Sequence, residues 1–321
     1  MNFLLIQWIV LFVLALAVVI KSADYFTEAA ERIGLHFHIP PFIIGVTIVA
    51  FGTSLPEVVT SVSAAMRGET ALVINNVVGS NLANILLVLG VAAIVGKNIK
   101  VNKDIVKIDL PIVLSSIIML FILTIDGKLT YLDGIILFLA LVGYILYNIY
   151  EPRSVDSKDA SDISKLKKSE KKKLSIKHPL ILFASAGFLW FSADFTILSV
   201  LEISHLLHIN PELMAITAVA IGTSLPELVV STIAAKKGKA DMAIGNVMGS
   251  NIFNALGVTS IPAFFTTLSI PPEILSFGIP VLLFVTILYV FTTMDKQVSK
   301  WEGIMLVGIY LAIVGHLIGV V

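Results

Sequence analysis

Long apolar blocks alternate with short polar intervals along this chain. The blocks fall at roughly 3–20, 39–65, 71–95, 108–125, 130–150, 179–200, 212–235, 241–262, 273–293 and 302–320. An α-helix needs about 20 apolar residues to cross a bilayer. None of the blocks shows the apolar–polar alternation of a membrane-spanning strand. The pattern predicts an all-α integral membrane protein with ten transmembrane helices. The second, third, seventh and eighth blocks are the least uniform, because Gly, Asn, Ser, Thr and Pro interrupt them. The first block has no basic flank and no small-residue cleavage signal. It reads as a first helix and not as a signal peptide.

Basic residues add a direction. Cytoplasmic loops retain Lys and Arg. All but two of the 22 Lys and Arg residues fall in the odd-numbered loops, the exceptions being Arg67 and Lys128. A wrong helix count would scramble that alternation. The expectation is a plasma or inner membrane protein with both termini outside and the odd loops cytoplasmic. The one extended polar stretch, 151–178, reads as a basic cytoplasmic linker.

The chain also repeats itself. SAD at 22–24 returns at 192–194, VAFGTSLPE at 49–57 returns as VAIGTSLPE at 219–227, and NNVVGSNLAN at 75–84 returns as GNVMGSNIFN at 245–254. Each pair is offset by 170. Two halves follow: a five-helix repeat over 1–150 and a second over 179–321, joined by the linker. Five is odd, so the second copy enters the membrane from the other side, an inverted-topology repeat as in many secondary transporters. Asp24 and Asp194, within SAD, read as caps near helix ends.

The repeated motifs hold costly residues. Glu57 and Glu227 are the acids well inside the second and seventh blocks, with no Lys or Arg at matching depth. An unpaired charge there costs several kcal/mol or more, so a carboxylate at this depth is a functional-site hypothesis by default. Calcium, two sodium ions or protons would each neutralise the pair. Thr53, Ser54, Thr223 and Ser224 offer hydroxyls. Pro56 and Pro226 lack the N–H that the carbonyls four residues earlier need, and Gly52 and Gly222 permit local unwinding. Ser80 and Asn84, like Ser250 and Asn254, lie four apart and share a helix face. Oxygen donors without sulfur or imidazole favour hard cations over transition metals.

Composition excludes other chemistry. Hydrophobic residues make up 57% and charged residues 14%, against about 25% charged in soluble domains. There is no Cys and the net charge is zero, so neither disulfides nor a bulk attraction to nucleic acid is expected. The six His residues show no metal-ligand spacing. An intramembrane hydrolase using Ser54 or Ser224 would lack a His base at matching depth. A channel could use the same ligands, but nothing suggests a wide continuous path. A transporter with no cofactor and no obligate protein partner is expected.

Two copies of GTSLPE followed by GSN resemble the sodium/calcium exchanger family of the cation/Ca²⁺ antiporter superfamily, in its compact prokaryotic form. The resemblance covers essentially the whole chain. It implies Ca²⁺ and Na⁺ as exchanged substrates, alternating access and mainly Ca²⁺ extrusion, with a Ca²⁺/H⁺ antiporter on the same two glutamates as the alternative. It implies a cation site from the second, third, seventh and eighth helices. The ligands would be Glu57 and Glu227, hydroxyls of Thr53, Ser54, Thr223, Ser224, Ser80 and Ser250, backbone oxygens of Ala50 and Ala220, and Asn84 and Asn254. It also implies that the first and sixth helices slide across the rest. Many relatives carry Asp where this chain has Asn254, which argues against potassium co-transport. Proton-coupled relatives typically carry a GNATE-type motif in place of GTSLPE, which favours sodium. Asn75 stands where Gly is usual.

Overall fold

A computed structural model describes residues 3–37, 39, 41–97, 99–100, 108–150, 177–206 and 224–317. Helix occupies part of each of the ten expected blocks. We label the helices α1 (Phe3–His36), α2 (Pro41–Thr53), α3 (Leu55–Met66), α4 (Thr70–Gly96), α5 (Leu110–Thr124), α6 (Tyr131–Tyr150), α7 (Lys177–Leu206), α8 (Leu225–Lys236), α9 (240–263), α10 (Ile274–Thr293) and α11 (Lys300–Leu317). Among the described residues, five continuous helices are long and apolar enough to cross a membrane, or six if α2 and α3, bent by 41°, form one span. The linker 151–176, and Ala220, Gly222 and Thr223, lie outside the described residues.

Three expectations need correction. The first helix does not stop near residue 20 but runs to His36. Its polar end is held by charge pairs: Glu28 with Arg32 at 2.6 Å, Asp24 with Lys237, and Glu31 with Lys239. Asp24 and Asp194 are therefore not caps near helix ends; both sit inside long helices. The α2/α3 break also does not fall at Gly52, which stays helical beneath the Phe26 ring, where a Cβ would come within 2.5 Å of Cζ. Ser54 breaks the helix, with φ −89° and ψ 7°. Pro56 then sits in the first turn of α3, where a missing N–H is harmless. Ser224 and Pro226 repeat this arrangement, with Ser224 at φ −88° and ψ 5°.

The duplication recurs in contacts as well as words. Asn76 Nδ2 donates to Ser61 Oγ at 3.2 Å, and Asn246 Nδ2 donates to Ser231 Oγ at 2.8 Å, each residue offset by 170. Helix α4 widens to i→i+5 turns over Asn84–Val88, and α9 does so over Asn254–Val258. Such widenings often mark functional sites.

Beyond residue 96 the offset becomes 169. Gly127 and Lys296 both turn with positive φ, at 81° and 65°. The capping boxes Thr130/Asp133 and Ser299/Glu302 then start α6 and α11.

Short strands tie the loops together. β1 (Ile99–Lys100) pairs antiparallel with β4 (Gln297–Val298), and β2 (Lys128–Leu129) with β3 (Leu268–Ser269). The first pair joins two odd loops and the second joins two even loops, as the basic-residue alternation requires.

Glycines let backbones meet where polar site residues must converge. A Cβ on Gly45 would lie 2.5 Å from the Met242 carbonyl oxygen, and one on Gly249 would lie 2.4 Å from that of Val46. Helix α2 thus presses directly on α9, the small-residue packing that suits helices in lipid. Similarly, Gly134 of α6 meets α9 at Ala263, and Gly303 of α11 meets α4 at the Gly90 carbonyl oxygen. Each half therefore sends its last helix into the other.

Candidate functional site

The break at Ser54 aims a hydroxyl across the molecule. Ser54 Oγ donates to Glu227 Oε1 at 2.9 Å, although the two residues are 173 apart in sequence. Ser250 Oγ lies 3.4 Å from the same oxygen. Glu57 and Glu227, expected at depth, are 1% and 0% exposed, and they lie near enough for their charges to act on each other. Thr53, Ser54, Ser80, Asn84, Ser224, Ser250 and Asn254 are also buried. The Ala50 carbonyl oxygen accepts the Ser54 N–H at 3.0 Å and lies 3.3 Å from Thr53 Oγ1.

Many of these groups lack hydrogen-bond partners. Among the described residues, both Glu57 carboxylate oxygens, Glu227 Oε2, Ser224 Oγ and the side-chain amides of Asn84 and Asn254 are buried and have no hydrogen-bond partner. Leaving a buried polar group unsatisfied costs about 1–3 kcal/mol each, more if charged. Two carboxylates concentrated with neutral oxygens, with no cationic side chain paired to them among the described residues, have the chemistry to hold a cation or protons. Among the described residues no cluster of three or more His, Cys, Asp or Glu could hold a metal. The donor set is instead two acids plus hydroxyl, amide and carbonyl oxygens, which fits a hard cation as cargo.

The sequence reading left two residues without a role. Asn246 accepts from Thr53 Oγ1 at 3.2 Å while donating to Ser231, so it joins α2, α8 and α9. Asn76 makes the matching bond to Ser61 in the first half. The signal was present, since Asn76/Asn246 and Ser61/Ser231 all recur at the common offset. A Ser and an Asn fifteen residues apart gave no sign of being partners.

Buried acids and oxygen donors drawn from both halves of an apolar helical chain fit the class of membrane cation transporters. The comparisons place it further. The sodium/calcium exchanger protein family matches residues 7–150 and 177–319, and the chain belongs to that family. It is a membrane transporter and not an enzyme. It is 32% identical over 309 residues to the inner membrane protein YrbG of Escherichia coli, covering 93% of each chain. It is 30% identical over 345 residues to the sodium/calcium exchanger MaX1 of Methanosarcina acetivorans, covering 97% of each. A solved structure of the sodium-calcium exchanger NCX_Mj, soaked with zero Na⁺ and Ca²⁺, superposes with a TM-score of 0.81 at 28% identity. That match covers 99% of this chain and 100% of the other.

Proposed function

We propose that this chain exchanges Na⁺ for Ca²⁺ by alternating access, mainly to extrude Ca²⁺, and that the cargo is held between Glu57 and Glu227. The observation that carries this reading is a pair of buried carboxylates from equivalent motifs, one of them reached by Ser54 of the other motif, with oxygens left unpartnered among the described residues. Calcium supplies the +2 that the pair demands and takes six to eight oxygen ligands. Thr53, Ser54, Ser80, Ser224, Ser250, Asn84 and Asn254, with Thr223 and the Ala50 and Ala220 carbonyls, complete the set. Several sodium ions neutralise the same cage.

An empty cage would carry −2 through a low-dielectric barrier, so the unloaded carrier crosses slowly and exchange replaces leak. The domain plan is two inverted five-helix repeats, 1–150 and 179–321, around a cytoplasmic linker. Both termini face outside. Asn254, an amide where an acid would add a third charge, leaves no separate requirement for potassium.

Coupling is tested by calcium-45 uptake into proteoliposomes loaded with sodium, potassium or choline, with and without an imposed pH gradient. The expected result is uptake that requires internal sodium and ignores potassium. Uptake driven by the pH gradient without sodium would keep the site and move the protein to Ca²⁺/H⁺ exchange.

A further inference from the structure

The SAD repeat has a use that the cation cage does not absorb. Asp24 of α1 forms an ion pair with Lys237, the residue that closes α8. Subtracting the offset of 170 from Lys237 gives Arg67, which closes α3 in the same way. Each cation is followed by a glycine with positive φ, Gly68 at 84° and Gly238 at 74°. Each chain end is also tied back alike: Arg67 N–H donates to the Ser63 carbonyl at 3.2 Å, and Lys237 N–H to that of Ile233 at 3.0 Å. The counterpart of Asp24 is Asp194 on α7. The repeat has therefore preserved a carboxylate on each long helix and a cation on each facing turn.

The two pairs stand differently. Asp24 and Lys237 are joined, whereas Asp194 and Arg67 are both exposed and form no ion pair among the described residues. The helix packing agrees with the charges. Helix α1 packs along α8, while α7 makes at most marginal contact with α3. Among the described residues, helices α1 and α7 make the most extensive helix–helix packing with each other. They form one unit drawn against the rest at the 237 end and standing off it at the 67 end.

We propose that Asp24–Lys237 and Asp194–Arg67 are alternating latches, one closed in each access state, that hold the α1/α7 pair at either end of its travel. The inference rests on the exchanger reading above. In the described state the first latch is shut on the side of the odd loops. Carrying α1 and α7 to the pseudo-symmetric position breaks it and brings Asp194 to Arg67. The strength suits the task. Partly exposed ion pairs bias an equilibrium by about fivefold or less, enough to define an end point and too little to stall a cycle.

A second pair, Glu31 with Lys239, adds to the closed side. Its counterparts are Leu201 and Glu69, which cannot pair. The device is thus unequal and favours the described state.

The chain has no Cys, so the test needs no prior removal. One variant carries Asp24→Cys with Lys237→Cys, and another carries Arg67→Cys with Asp194→Cys. Each is treated with a short bis-maleimide in proteoliposomes under saturating Na⁺, saturating Ca²⁺ or neither. Cross-linking is read by protection from a polyethylene-glycol maleimide, and exchange by calcium-45.

The expected result is that conditions raising one cross-link lower the other, and that either link alone stops exchange. Absence of the 67/194 link in every condition in which chains exchange would overturn the proposal. So would both links forming together in a four-Cys chain that still exchanges. As a second measurement, in the chain carrying Arg67→Cys with Asp194→Cys, Lys237→Ala raises the 67/194 cross-link by about fivefold or less, and the swap Asp24→Lys with Lys237→Asp returns it to its original level. A swap that restores nothing also overturns the latch. Failure of the unsubstituted protein to exchange at all would reject the exchanger reading instead, and the cross-links would still report whether the two pairs alternate.

Discussion

Helices α4 and α1 are both long and apolar, yet 78% of the apolar stretch of α4 is buried against 11% of that of α1. Helix α4 sits at the centre, holds Ser80 and Asn84, and is fixed by Asn76 to Ser61 and by the Gly303 contact. Helix α1 lies outside with α7 and presents residues such as Val13 and Leu14 to the surroundings. Hydrophobic residues facing lipid gain nothing from being detached or reattached, because lipid tails are as apolar as they are. A peripheral pair can therefore move at low cost, while a core locked by glycine contacts and buried amides cannot. On the proposed function, the difference separates the part that holds the ion from the part that controls access to it.

The largest expected effect strikes the core. Glu57→Gln or Glu227→Gln lowers calcium-45 exchange by more than about a hundredfold, since half of the cage's charge is lost. Flux within a few-fold of the unsubstituted protein would break the site assignment.

Gly249→Val should follow, because its first side-chain carbon already collides with the Val46 carbonyl oxygen. Overpacking of this kind costs about 1–3 kcal/mol or more. The expected readout is a fall in the melting temperature of the detergent-solubilised protein together with reduced exchange.

Asn246→Ala removes the bridge from Thr53 to Ser231. Polar bonds in membrane proteins average about 0.6 and reach about 1.7 kcal/mol. Exchange should fall by about tenfold or less, with Asn76→Ala producing a matching loss. An unchanged rate in both would show that these amides do not hold the site.

The smallest effect should come from the outer face: Val13→Ala and Leu14→Ala are expected to change stability by no more than about 0.5 kcal/mol, leaving the melting temperature and exchange close to the original. A large loss there would remove the contrast between the two regions.

Much of this was legible before any coordinates. Apolar blocks overlie every described helix, and the duplicated motifs singled out the two buried acids. The failures have physical causes. Lys21, Asp24, Glu28 and Glu31 look like the end of a membrane helix when read alone. Partners on the other half, Lys237 and Lys239, satisfy two of those charges and let α1 continue. Gly52 looked like the breaking residue because glycine permits unwinding, but the chain uses that freedom to seat Phe26 and breaks at Ser54. Asn246 became readable only through its partners on two other helices.

The asymmetry between halves could not be read at all. Ser54 reaches Glu227, while among the described residues Ser224 Oγ and both oxygens of Glu57 have no partner. Nearly identical motifs cannot announce which of two related conformations a chain adopts.

The central claim is that one cation site is shared by both halves. Equilibrium binding of calcium-45 to the purified protein at zero sodium tests it most directly, comparing the unsubstituted chain with Glu57→Gln and Glu227→Gln. The account predicts a single Ca²⁺ per chain, lost in either variant and displaced by sodium. Two independent Ca²⁺ ions per chain, or one glutamine variant that binds as well as the original, would contradict it.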